Sequence, residues 1–331
     1  SPIKEAEFVV DAPNSGTSVE LAPVHQIQLS DIALADLEEM APATLIIRLT
    51  DDLGRTQEFR HDVEVYARDQ WLSSPSLTVI TAAFVQPNHP DVNRVLARAA
   101  EILKRMGHPG ISGYQDASNG QHHRIAEAVF LALQEFVTAY INPPASFEKL
   151  GQKLRPIDRV LEEKQGTCID LACAYASCLE QAGLYPVIFM VQGHAFSGYL
   201  TERDHLNQSV IDQWPAIKSL LDSKIVIGVE TVSIPDGDSF AEALQKVGPR
   251  LNEIQMESVI DVHLAHREGV RPMPARILRD NVITVVIDNG PASAPVVERR
   301  DPTTRKLLPE SVPARIQSWK NALLDLSFKN R

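Results

Sequence analysis

The chain has few cysteines, few aromatic residues and a shortage of positive charge. Its three cysteines, Cys168, Cys173 and Cys178, are odd in number and form no Cys-x-x-Cys pair, which argues against a disulfide framework and against a zinc ribbon. Lys and Arg number 32 against 43 Asp and Glu, for a net charge of -11. That is the wrong sign for a protein that grips phosphate backbones, so no direct nucleic-acid binding is expected. Long apolar runs are also missing. The stretch 184–191 is one of the longest, and it reaches only about half of the roughly 20 residues needed to cross a bilayer. No charged-apolar-small leader opens the chain. A cytoplasmic protein without a membrane partner is expected, with neither cofactor nor metal.

What remains is the make-up of an ordinary folded protein, 44% hydrophobic and 23% charged over 331 residues. At roughly 150 residues per domain that length suggests about two domains, with enough chain to bury a sizeable core. The first residues are Ser1-Pro2, without Met, and the last, Lys329-Asn330-Arg331, fall inside an amphipathic pattern of Ile316, Trp319, Leu323 and Leu326. A piece of a longer protein is expected.

Periodicity divides the chain. Leu45, Ile47 and Leu49 alternate against Ile46, Arg48 and Thr50, Asp51-Asp52-Leu53-Gly54 supplies turn chemistry, and Phe59, Val63 and Val65 resume the alternation. This predicts a hairpin which, with Val19–Leu21 and Ile27–Leu29, forms a β-rich, sandwich-like unit over residues 1–70. Helical spacing then takes over. One helix is predicted behind Asn88-His89-Pro90, a second over Ile125 to Tyr140, a short one over Ile157 to Glu163, and another from about Thr167 to a Gly183 cap. Strands follow at 185–191, 195–200, 224–232 and 281–288. Between them lie polar helices, one over 208–221 interrupted at Pro215 and one from Ser239 to about His266 broken near Gly248-Pro249. Helices first and strands afterwards, without βαβ alternation, predict an α+β domain over 71–290 whose helices pack on an antiparallel sheet. The Pro-, Arg- and Asp-rich stretch from 291 reads as a linker into a truncated helical domain ending at 331.

The chemistry concentrates near the start of the fourth predicted helix. In Gly166-Thr167-Cys168-Ile169-Asp170, the thiol sits in a first turn, where the helix dipole and unpaired amides favour thiolate, and the Cys168 N–H is placed to donate to an oxyanion. His194, after Gly193 at a strand start, is a candidate base, and Glu230, in an apolar strand, is a candidate orienting acid. Gln165, Gln152 and Arg155 are candidate oxyanion or cleft residues. Cys is also among the most buried residue types, and a packed structural thiol is the competing reading. Cys173 and Cys178 fit that second description. His263 and His266, with Asp261 nearby, lack a convincing third ligand for a metal, and His122-His123 read as solvated.

Two segments resemble known families. Gly166-Thr-Cys168-Ile-Asp-Leu-Ala, then Leu179-Glu-Gln-Ala-Gly183-Leu, then Gly193-His194-Ala-Phe resemble the core of the transglutaminase-like, papain-related cysteine proteins, over roughly Ala82 to Asp288. The resemblance implies a Cys nucleophile at a helix N-terminus packed on an antiparallel sheet, with Cys168 and His194 in the matching places. Glu230 stands where that family has Asp. It further implies thiol-dependent acyl transfer on a protein or peptide substrate, by a peptidase, an amidase or a transglutaminase-like enzyme. The alternative is an inactive peptide-binding or docking module. The segment from Ser318-Trp319 through Leu324-Asp-Leu-Ser327 to Asn330 resembles the opening of the domain that precedes the helicase core in large bacterial superfamily 1 helicase-like proteins, some from anti-phage defence loci. That implies a helicase region of the same polypeptide as a partner. The chain itself has no Gly-x-x-x-x-Gly-Lys-Ser/Thr loop.

Overall fold

The computed structural model describes residue 7 and residues 37–72, 74–108, 110–111, 120–142, 151–201, 206–279 and 282–286. The chain divides into two compact units, Ser1–Ile287 and Asp288–Arg331, and the elements below belong to the first. The readings made for residues 19–29, for the linker and for the C-terminal amphipathic segment lie outside the described residues.

Strands β1 (Ala41–Thr50) and β2 (Thr56–Val65) form the expected hairpin, with Ile47 opposite Phe59. Asp51 builds the turn, its Oδ1 accepting the N–H groups of Leu53 and Arg55 at 3.0 and 2.9 Å. The short strand β3 (Gln70–Trp71) precedes a 3-10 segment, Pro75–Phe84. Helix α1 (Pro90–Arg105) starts with Pro at its first position and buries Val92, Val95, Ala99, Ile102 and Leu103, the i, i+3, i+4 stripe read from the sequence. Helix α2 (Gln121–Phe136) starts and ends four residues earlier than predicted. Val137 turns the backbone extended and the chain enters β4 (Ala139–Tyr140), so Tyr140 lies on a strand and not on the helix. After β5 (Gln152–Lys153) come α3 (Ile157–Glu163), β6 (Gln165–Gly166) and α4 (Cys168–Gln181).

The remaining strands build the main sheet: β7 (Pro186–Val191), β8 (His194–Leu200), β9 (Val210–Ile211), β10 (Val226–Val229) and β11 (Met256–Asp261), in the spatial order β10-β8-β7-β11-β9, with every neighbouring pair antiparallel. The architecture is α+β. Strand β7 is apolar throughout because both faces of the sheet are covered. Ile188 and Met190 pack with Ile169 and Cys173 of α4, whereas Val187, Phe189 and Val191 join a cluster with Phe196 and Ile217.

Three readings of this half are corrected. The helix predicted over 208–221 is strand β9 followed by α5 (Trp214–Asp222), and Pro215 begins that helix instead of breaking it. The strand predicted over 224–232 stops at Val229 and leads into a one-turn helix, α6 (Ser233–Asp236). The helix predicted from Ser239 breaks at Gly248 as expected, ending α7 (Phe240–Val247), but its second part is strand β11 and α8 (Val262–Arg267). Strand β11 was hidden because its residues, Met-Glu-Ser-Val-Ile-Asp, carry too little β-branched character to outweigh their helix-forming surroundings. A hairpin of β12 (Ala275–Arg279) and β13 (Val282–Val286) follows, of which only the second strand was read.

Strands β8 and β10 approach closely at a pair of glycines, Gly198 opposite Gly228. A Cβ on Gly198 would lie 2.3 Å from the Ile227 carbonyl oxygen, so no side chain fits without separating the strands. This close approach brings the chain after Val229 to the His194 end of β8.

The two histidines considered for a metal serve another purpose. His263 and His266 both turn Nδ1 toward Glu180 Oε1, at 3.5 and 3.0 Å, and His266 Nε2 lies 2.8 Å from the Ala82 carbonyl oxygen. Among the described residues no group of three or more ligands suits a metal ion. Burial would push His266 down, but its contacts with Glu180 outweigh that and raise its pKa; the same contacts hold Glu180 below its usual range against burial. The His266 contribution to stability is therefore complete below the unfolded-state pKa and is lost as pH rises through the raised folded value. We expect the unfolding free energy to fall by about 1 kcal/mol more in the wild type than in His266→Gln across this window. Urea denaturation of both proteins between pH 5.5 and 8.5 measures it, and parallel curves would remove His266 as the cause.

Of the two histidines read as solvated, His123 is exposed and His122 is not. His122 is buried, and His123 Nδ1 lies 2.8 Å from the Tyr199 hydroxyl, with its ring edge-on to Phe240.

Candidate active site

The start of α4 is fixed by its own sequence. Thr167 is the N-cap in an extended conformation, and Thr167 and Asp170 form a reciprocal capping box: the Thr167 N–H donates to Asp170 Oδ2 at 2.9 Å and the Asp170 N–H to Thr167 Oγ1 at 3.4 Å. Asp170 is fully buried, and its other oxygen accepts the Arg155 N–H at 2.9 Å. Burial pushes its carboxyl up, while these amides and the Arg155 guanidinium draw it down. Cys168 is thus the first residue of a helix whose cap holds it in place.

The sequence candidates near this cap have separate partners. Gln152 Nε2 donates to Thr167 Oγ1 at 3.4 Å. Arg155 Nε pairs with Glu163 at 2.9 Å and its Nη1 with Asp170 at 3.3 Å. Gln165 Nε2 donates to Glu163 at 3.4 Å. Gln152 and Arg155 also line a cavity of about 500 Å³ whose lining does not include Cys168, His194 or Glu230. All three side chains brace the loop that carries the helix start, and no observed contact joins any of them to the thiol.

His194 opens β8 after the Gln192-Gly193 turn, where Gly193 has a φ of 68° in the left-handed region that favours glycine. Its Nε2 lies 3.0 Å from both carboxylate oxygens of Glu230. The ring also interacts with the Cys168 thiol. Glu230 is 3% exposed and stands one residue past the end of β10, not in the middle of the strand as the sequence suggested. A turn holds it there: Val232 N–H donates to Oε1 at 3.2 Å, and the Glu230 N–H donates to the Ala243 carbonyl at 3.1 Å.

Charge explains the state of the imidazole. Burial alone would lower the His194 pKa, but hydrogen bonds with Cys168 and Glu230 and the carboxylate charge overcome it and push it up to about 9. These partners favour the imidazolium, the form the ring takes when it accepts the thiol proton. Cys173 and Cys178 are buried without such partners, and loss of water pushes both thiols well up.

Two residues of the site were not picked out from the sequence. Tyr140 is placed by parallel pairing of β4 with β6, in which Tyr140 lies opposite Gly166, two residues before the nucleophile candidate. Its hydroxyl contacts the Cys168 thiol. Burial and the neighbouring Cys168 and Glu230 charges push its pKa up to about 12, so the phenol remains a hydrogen-bond donor. Arg250, on a 3-10 turn after α7, places Nε 2.9 Å from Glu230 Oε2. Nothing local marks either residue; only the fold brings them to Cys168 and Glu230.

The chemical capacity of this group is that of a thiol with a base, an orienting acid and a neutral donor converging on it. Among the described residues no helix is long and apolar enough to cross a membrane. No family model and no characterised protein matches the chain. Among solved structures, a Parabacteroides distasonis protein named as a candidate protease is similar at 11% identity with a TM-score of 0.25, over 50% of this chain and 36% of that one. The chain spans about a third of that protein's length, and a likeness this weak carries no argument about fold or chemistry.

Proposed function

We propose that the protein is a thiol-dependent acyl-transfer enzyme acting on an amide of a protein or peptide, with Cys168 as nucleophile, His194 as acid and base and Glu230 as the group that orients His194. The observation that carries this reading is the bidentate placement of Glu230 at 3.0 Å from His194 Nε2, on a ring that also interacts with Cys168. Cys168 Sγ attacks the carbonyl carbon after its proton passes to His194. As the tetrahedral adduct collapses, that proton goes to the departing amine and a thioester remains on Cys168. Water resolves the thioester in a hydrolase, a second amine in a transferase. The developing oxyanion is within the province of the Cys168 N–H and the Tyr140 hydroxyl.

A packed thiol in a non-catalytic module is the second reading, favoured by the low exposure of Cys168, 8%. An activated peptide ester separates the two. On the first reading, intact-mass spectrometry finds one acyl adduct, mapped to Cys168; on the second, no adduct forms on the folded protein. The resemblance of the C-terminal residues leads us to place this unit beside the helicase region of a larger bacterial protein, in an accessory role in anti-phage defence. In that protein residues 1–70, 71–290 and 291–331 would be a β-rich unit, the acyl-transfer domain and a linker into a helical domain.

Tyr140→Phe removes one hydroxyl and little else. It is expected to lower kcat/KM for amide cleavage by roughly 10- to 100-fold, with Cys168 still acylated by the activated ester. Unchanged kcat/KM would take Tyr140 out of the mechanism. Because His194 must deliver a proton to the leaving amine, amide turnover should decline as pH rises through about 9, the value to which its partners push the ring.

A further inference from the structure

Glu230 is shared. Its Oε2 lies 3.0 Å from His194 Nε2 and 2.9 Å from Arg250 Nε, so an imidazolium and a guanidinium compete for one buried oxygen. Arg250 is attached from outside: its side chain is 42% exposed, against 3% for Glu230 and 11% for His194. The turn that carries it, Gly248–Arg250, follows directly on α7, and α7 also accepts the Glu230 N–H through Ala243. One element therefore holds both the backbone and the carboxylate of Glu230.

We propose that Arg250 is a positioning residue of the Cys168 site: it fixes the Glu230 carboxylate against His194 and, by taking part of its charge, limits how tightly the imidazolium is held, so that His194 can release its proton during turnover. The inference rests on the thiol acyl-transfer reading above. Its physical basis is a competition. A buried carboxylate with only His194 to neutralise it binds the imidazolium proton more strongly, whereas a second cation weakens that hold through shared charge and like-charge repulsion. The other groups at the ring are Cys168 from α4 and Phe196 on its own strand, while Tyr140 from β4 faces Cys168 and Glu230. Lys246 of α7 also feels Glu230, but its ammonium is engaged by Asp238. Arg250 is thus the arginine or lysine paired with the carboxylate.

The test is titration of the His194 ring by NMR in the full chain, in wild type, Arg250→Met and Arg250→Lys. Methionine keeps most of the stem and removes the charge; lysine restores charge without the planar fork. The expected result is an upward move of the His194 midpoint by half a pH unit or more in Arg250→Met, with Arg250→Lys between it and wild type. Amide turnover should then fall in the same order while the acylation of Cys168 by the activated ester is retained. An unchanged or lowered His194 midpoint in a folded Arg250→Met protein overturns the proposal. Should Arg250→Met fail to fold, Arg250→Lys alone decides it, since the shorter side chain holds its charge farther from Glu230 and must still raise the midpoint. Failure of Cys168 to acylate in the wild type is a separate result that overturns the enzymatic reading, whatever Arg250 does to the ring.

Discussion

In Cys168→Ala, covalent capture of a peptide-like electrophile is expected to disappear, with Cys173→Ala and Cys178→Ala labelling like the wild type. The difference is one of surroundings. All three thiols lie on α4 and all three are buried, but Cys173 and Cys178 are in contact with apolar core, where loss of water opposes the thiolate and pushes their pKa values well up. Cys168 is at the capped first residue, with an imidazole and a phenol against it. Tryptic mapping of the adduct checks the result. Labelling at Cys173 or Cys178 of comparable extent in the folded protein would contradict the assignment.

The largest stability effect is expected from Asp170→Ala, a loss of about 3 to 5 kcal/mol in denaturant unfolding. The substitution deletes the return half of the capping box and leaves the N–H groups of Thr167 and Arg155, bonded at 2.9 Å each, without their acceptor. It also strips Arg155 of one carboxylate partner while Glu163 remains. Asp170→Asn keeps an acceptor and is expected to lose less, about 1 to 2 kcal/mol. An Asp170→Ala protein with wild-type unfolding would show that the cap does not hold the start of α4. Because the cap sets the position of Cys168, labelling should fall together with stability.

Much of this arrangement is legible in local patterns. The hairpin, the α1 stripe, the Thr167 cap and the Cys168 position are each written within a few residues, where period and capping chemistry act directly. The elements misread are those decided by contacts distant in sequence. Strand β11 is a strand because it pairs with β7 and β9, and Tyr140 leaves the helical pattern because β4 pairs with Gln165 and Gly166. Glu230 was found as an acid in an apolar stretch, but its place after the strand end depends on a turn and on the approach of two glycines. Arg250 carries no local signal, being one basic residue after a Gly-Pro step; only the buried carboxylate 2.9 Å away gives it meaning. The histidines show the same limit in reverse. His263 and His266 have a spacing that invites a metal, yet the residue that satisfies them is Glu180, on another helix.

The central claim is that His194 activates Cys168. The most direct measurement is the rate of iodoacetamide alkylation of Cys168 at pH 7, followed by mass spectrometry of the mapped peptide, in the wild type and in His194→Ala. The account predicts that Cys168 is modified first in the wild type and that His194→Ala slows its modification at least tenfold, with Glu230→Gln falling between the two. Equal Cys168 rates in wild type and His194→Ala would contradict it.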